Sequence, residues 1–98
     1  MNNYTVNFCI IDKCCNNGNS NTIQKETSIT NINTTVLLHN NYTLNILSVN
    51  ENYCSVIIQN GINIYILNVY TAFPTELCIC NTCNNSHRLT ISITITNN

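Results

Sequence analysis

Charge is what this sequence has least of. Three basic and four acidic side chains serve 98 positions: Lys13, Lys25, Arg88, Asp12, Glu26, Glu51 and Glu76. A nucleic-acid partner demands a basic footprint to neutralise phosphates, and three cations cannot supply one. Ala and Pro occur once each, Gly twice and Trp not at all. So little Ala, Glu, Lys and Leu excludes coiled coils and helix bundles. No apolar run approaches the length of a membrane-spanning helix. Gly18 and Gly61 are too few for a phosphate-cradling loop. The start, Met1-Asn2-Asn3-Tyr4-Thr5, has no basic region and no apolar core, so no signal peptide is expected.

Asn fills 22 positions, Ile 15, Thr 13 and Cys seven. With Val, a third of the chain is β-branched, which disfavours helices and suits half-buried strands. Codon bias alone would raise Lys together with Asn, yet Lys occurs twice. Charge therefore looks avoided. Drift in a biased genome and selection for dense packing of identical copies both account for such a surface, because like-charge repulsion keeps ordinary domains apart.

The pattern along the chain predicts one all-β domain. Leu89, Ile91, Ile93 and Ile95 alternate with Thr90, Ser92, Thr94 and Thr96, the period of a half-buried strand. Tyr53 to Gln59, Asn60-Gly61 and Ile62 to Tyr70 predict a hairpin on a type I′ turn. Further strands are expected at Thr34 to His39, Tyr42 to Val49, Glu76 to Cys80 and around Thr22 to Asn31. Seven or eight short strands fit a β-sandwich or jelly roll. Tyr4, Val6, Phe8 and Ile10 also alternate, before a polar stretch from Asp12 to Ser20. That segment reads either as the first strand or as an extended arm that pairs with another subunit. Deleting residues 1–15 separates the two: an arm leaves a folded domain behind, a strand does not.

Cys9, Cys14, Cys15, Cys54, Cys78, Cys80 and Cys83 make an odd, dense set. Dense cysteine in a small β domain points to disulfides, and an odd count leaves one thiol over or bonded to another chain. Adjacent Cys14 and Cys15 favour two separate partners. The alternative is zinc held by Cys78, Cys80, Cys83 and His87, a chemically adequate donor set without a paired C-x-x-C spacing. Structural disulfides are the preferred expectation, and no cofactor is expected. Catalysis is not expected either. His39 and His87 are the only imidazoles, each read as a strand-end or solvated turn residue, and the four carboxylates form no close pair.

Ile11-Asp12-Lys13-Cys14-Cys15, then Asn16-Asn17-Gly18 and Thr22-Ile23-Gln24-Lys25, resembles the N-terminal connector of endospore appendage (Ena-type) pilus subunits. In that family an aliphatic residue precedes a Cys-Cys pair, and a third Cys follows about a dozen residues later. Here Ile11 matches the aliphatic residue, Cys14 and Cys15 the pair, and Ser28 stands where the third Cys belongs. The family's C-terminal Gly, Cys and Tyr motif is absent from Leu89 to Thr96. The resemblance covers residues 11–28 and implies a flexible connector over 1–20 and a jelly-roll domain over 21–98. It implies a homopolymeric, head-to-tail fibre on the spore surface, assembled without a classical signal peptide. Cys14 and Cys15 would cross-link subunits with Cys9 as a further arm contact, and Cys54, Cys78, Cys80 or Cys83 would be the acceptors. A small zinc- or disulfide-stabilised module binding a protein or glycan is the alternative.

Overall fold

The computed structural model describes residues 4–16, 19–82 and 85–98. Eight strands follow in order: β1 (Tyr4–Asn16), β2 (Asn19–Ile29), β3 (Thr35–Leu37), β4 (Thr43–Val49), β5 (Tyr53–Asn60), β6 (Asn63–Tyr70), β7 (Thr75–Thr82) and β8 (Asn85–Asn97). A single 3-10 turn at His39–Asn41 separates β3 from β4. The strands form two four-stranded antiparallel sheets, ordered β2-β1-β8-β7 and β3-β4-β5-β6. This is the expected all-β sandwich. The second sheet is a plain meander, and the first is two hairpins joined by the β1–β8 pairing. Greek-key crossings, the mark of a jelly roll, are absent from this order among the described residues.

Alternation decides which side chains meet. Val6, Phe8 and Ile10 of β1 and Leu89, Ile91 and Ile93 of β8 turn inward together, as the pairings Val6 with Ile95, Phe8 with Ile93 and Ile10 with Ile91 require. They join Leu44, Ile46, Val56, Ile58 and Val69 of the second sheet in one buried cluster. Each fully buried side chain of this size contributes about 1.5–3 kcal/mol. Thirteen residues at about 3.3 Å each span roughly 43 Å, which accounts for the molecule's longest dimension of 45 Å. Sheet one therefore outruns sheet two, whose strands have eight residues or fewer.

The outer faces show what the abundant Asn and Thr do. Ser28 Oγ donates to Asn7 Oδ1 at 2.6 Å, and Asn7 Nδ2 donates to Thr94 Oγ1 at 3.2 Å, tying β2, β1 and β8 together. Asn45 Nδ2 donates to Thr35 Oγ1 at 2.8 Å across β4 and β3. Neutral amide and hydroxyl ladders stand where charge pairs bridge strands in most domains.

Several expectations need correction. Residues 4–16, expected within a connector arm, form an interior strand, β1, paired with β8 from Tyr4 to Asn16 and with β2 from Val6 to Asn16. The inward-facing Val6, Phe8 and Ile10 hold it there, and the strand continues through Asp12 and Cys14 because the same parity carries them inward. The hairpin turn lies one residue later than expected, at Gly61-Ile62, between the paired Asn60 and Asn63. Gly61 has φ 59° and Ile62 does not have positive φ, the pattern of a type II′ turn with Gly first, not of type I′. The third strand shrinks to Thr35–Leu37, because Leu38 N–H bonds Tyr42 O at 2.7 Å and Asn41 takes φ 65°, closing a turn.

Cys54 sits in the core, fully buried. Its burial sets it apart from the surface position that the expected role as a disulfide acceptor calls for. Burial pushes its thiol up to about 12, from an ordinary 9.0. A raised folded-state value gives stability that is whole below about pH 9 and is lost as pH rises toward 12. The thermal midpoint is expected to fall across that window, and Cys54→Ala to flatten the fall. An equal slope in both proteins refutes this.

Candidate functional site

Two features stand apart from packing, and β-sheet register creates both. The first is at one end of sheet one. Cys14 pairs directly with His87, and Asp12 lies one step along β1, opposite Leu89. All three face inward. Asp12 is 4% exposed and His87 6%. His87 Nε2 lies 2.5 Å from Asp12 Oδ1, yet neither His87 Nε2 nor Asp12 Oδ2 has a partner in hydrogen-bond geometry. The Cys14 thiol donates to Asp12 Oδ1 at 3.5 Å. Burial first, and then the Asp12 charge beside it, push that thiol up to about 11. Donor atoms of the three residues all lie within 4.8 Å of one another.

The 3-10 turn covers this end. The Tyr42 ring stands edge-on to His87 with centroids 5.3 Å apart, and His39 approaches at 6.4 Å. A groove of about 160 Å³, lined by Asp12, Lys25, Leu37 and His39 among others, opens beside the carboxylate.

The second feature is the β6 edge of sheet two. No strand lies beyond it among the described residues. Its outward side chains, Ile64 and Ile66, are 56% and 67% exposed. Tyr70 continues the row, packing on Tyr53 at 5.4 Å and on Phe73 at 5.2 Å between ring centroids. From Asn63 to Tyr70 there is no charge, no Pro and no Gly. The other edges differ: β2 carries Lys25 and Glu26, β7 carries Glu76, and β3 is three residues long. Charge and brevity are the usual protection of a sheet edge, and β6 has neither.

The cysteines separate by parity. Cys9, Cys15 and Cys78 lie on the outer face of sheet one, with Cys15 beside Lys13 and Arg88 in a recess of about 150 Å³. Cys9 borders a shallow hollow of about 550 Å³ with Asn7, Ser28 and Thr94. No disulfide joins Cys9, Cys15, Cys54 or Cys78 to one another. Cys14 and Cys15, expected to seek separate partners, point to opposite faces. Of the alternative zinc set, Cys78 and His87 face opposite sides of the sheet. Cys78 pairs with Arg88 on the outer face, whereas His87 is one residue on and turns inward. The Cys80 side chain and Cys83 lie outside the described residues. Ile11 is exposed on the outer face.

Sequence reasoning missed the Asp12–Cys14–His87 cluster because it took His87 for a solvated turn residue. The signal was present in parity: His87 extends the inward series Leu89, Ile91, Ile93 and Ile95, as Asp12 and Cys14 extend Val6, Phe8 and Ile10. Comparison with protein-family models, curated proteins and solved structures finds no match for this chain.

Proposed function

We propose that this chain is a structural subunit that assembles with copies of itself into a disulfide-cross-linked fibre, of the kind that the resemblance at residues 11–28 implies for a spore surface. The observation that carries this reading is the uncharged, exposed β6 edge. An unpaired strand presents a row of backbone donors and acceptors to another chain, and apolar outward side chains seal the contact. The mechanism differs from connector insertion, since β1 is interior. Edge pairing of β6 with the β6 of a second copy joins copies in pairs, and further contacts through sheet one, which do not close on themselves, carry the assembly from pair to pair. Thiols on the outer face of sheet one, Cys9, Cys15 and Cys78, then staple neighbouring copies. Each staple releases two protons and gives two electrons to an oxidant such as molecular oxygen.

Electron microscopy of the purified chain, beside non-reducing gels, tests this. Wild-type protein in air is expected to form filaments and a ladder of covalent oligomers that reductant collapses. Ile64→Lys with Ile66→Lys places two charges on the edge at exposed positions, where substitution costs within about 0.5 kcal/mol each. That variant is expected to fold and remain monomeric. A wild-type sample that sediments as a monomer under oxidising conditions, without covalent oligomers, overturns the proposal.

A further inference from the structure

We infer that Asp12, Cys14 and His87 form a binding site for a divalent transition-metal ion, with zinc the ion that the donors suit best. This site shares only His87 with the C-terminal set considered in the sequence and does not depend on fibre assembly. Three different donors, a carboxylate oxygen, a thiol sulfur and an imidazole nitrogen, converge within 4.8 Å from two neighbouring strands. Tetrahedral zinc binds such atoms at about 2.0–2.3 Å, which sets them roughly 3.3–3.8 Å apart. The Cys14 sulfur, 3.5 Å from Asp12 Oδ1, already stands at that spacing, and His87 Nε2, at 2.5 Å from the same oxygen, would move outward to admit the ion.

An independent observation points to a ligand. Asp12 Oδ2 is buried without a hydrogen-bond partner, and the buried His87 Nε2 meets Asp12 Oδ1 at 2.5 Å but outside hydrogen-bond geometry. Buried polar atoms are nearly always satisfied, so an orphan carboxylate oxygen beside a poorly aligned imidazole nitrogen needs an explanation. One cation placed between them satisfies both. Charge balance favours the same conclusion. The carboxylate and a Cys14 thiolate carry two negative charges, which one dication neutralises in a region walled by the buried Ile10 and Leu89. Binding releases the thiol proton to solvent, and the imidazole enters as the neutral base. A mixed sulfur, nitrogen and oxygen set selects zinc over calcium or magnesium, which take oxygen alone. The groove that Asp12 shares with His39 gives water a route to a fourth position. Lys25, the one lysine on that groove, lies on the exposed edge strand.

The full chain, reduced and stripped with chelator, is titrated with cobalt(II) and then with zinc. One equivalent of cobalt is expected to bind, with a thiolate-to-cobalt charge-transfer band that zinc abolishes. Cys14→Ser is expected to lose the band. Asp12→Asn is expected to weaken binding by more than the roughly 10–100-fold that loss of an outer partner costs. Cys78→Ser is expected to change neither. Folding of each variant is checked by circular dichroism. Absence of stoichiometric cobalt in folded wild-type protein, or a band that survives Cys14→Ser, overturns the inference. If Cys14→Ser does not fold, the His87 imidazole resonances of the wild-type protein decide. They are expected to shift with one equivalent of zinc, and resonances that do not move overturn it.

Discussion

Deleting residues 1–16 is expected to abolish the folded state. β1 is the second strand of its sheet, so its loss strips the ladder from β2 on one side and from β8 on the other. It also removes Val6, Phe8 and Ile10 from the core, all three fully buried or nearly so. At about 1.5–3 kcal/mol each these side chains account for about 5–9 kcal/mol, comparable with the whole 5–15 kcal/mol stability of an ordinary domain. The measurement is a thermal melt followed by far-ultraviolet circular dichroism. Full-length protein is expected to melt cooperatively and the truncated chain to show no transition. Phe8→Ala is a finer probe, expected to cost about 3–5 kcal/mol without removing the strand. A cooperative melt in the truncated protein overturns this. It requires β2 to close directly on β8, the behaviour of a detachable arm and not of an interior strand.

The same strand shows how far the sequence could be read. Alternation over Tyr4 to Ile10 gave the right period and the right faces, and Leu89 to Thr96 did so without interruption. What misled was polarity. Asp12 and Cys14 look like the end of an apolar run, so the strand was expected to stop where it continues for five more residues. A hydrophobic pattern locates an inward face only while that face is apolar, and a polar group that turns inward is invisible to it. Turn chemistry was legible in kind but not in position. Asn60-Gly61 marked the hairpin correctly, while the local preference for Gly at the first place of a type II′ turn moved the loop on by one residue. The pairing of Cys14 with His87 joins positions far apart in the chain, and sheet order alone brings them together. No spacing rule contains that information.

Parity also explains why the cysteines resisted a single assignment. In a strand, neighbours in sequence face opposite ways, so Cys14 and Cys15 enter different chemistry despite being adjacent. Cys15 joins the outer-face thiols beside Lys13 and Arg88, accessible to another copy. Cys14 joins an acid and an imidazole at the end of the core, where its proton is held tightly. A disulfide requires thiolate, and a thiol pushed up to about 11 is almost wholly protonated at neutral pH. In the proposed fibre the outer-face thiols, Cys9, Cys15 and Cys78, are the ones assigned to cross-linking. The edge and the staples sit on different sheets, so one contact can order copies and the other can fix them.

Removing either member of the Asp12–His87 pair is expected to cost about 3–5 kcal/mol in metal-free, reduced protein. His87→Leu leaves a carboxylate buried at the end of the sandwich, with the Cys14 thiol as the hydrogen-bond donor that Asp12 retains. Asp12→Leu leaves an imidazole against Tyr42 without the group that faces its Nε2. In both cases a polar side chain stays desolvated and loses its counterpart, which is more costly than losing the net value of the pair. The double variant, Asp12→Leu with His87→Leu, removes both polar groups. It extends the inward rows of β1 and β8 with leucine, beside Ile10 and Leu89. Replacing a buried pair by packed apolar side chains is often neutral or stabilising. The double variant is therefore expected to be more stable than either single one, and urea denaturation of the four proteins gives the coupling directly. Additive losses would mean that the two residues act separately. Recovery in the double variant would mean that the sandwich does not need this polar pair to fold, as a pair that serves as metal ligands requires.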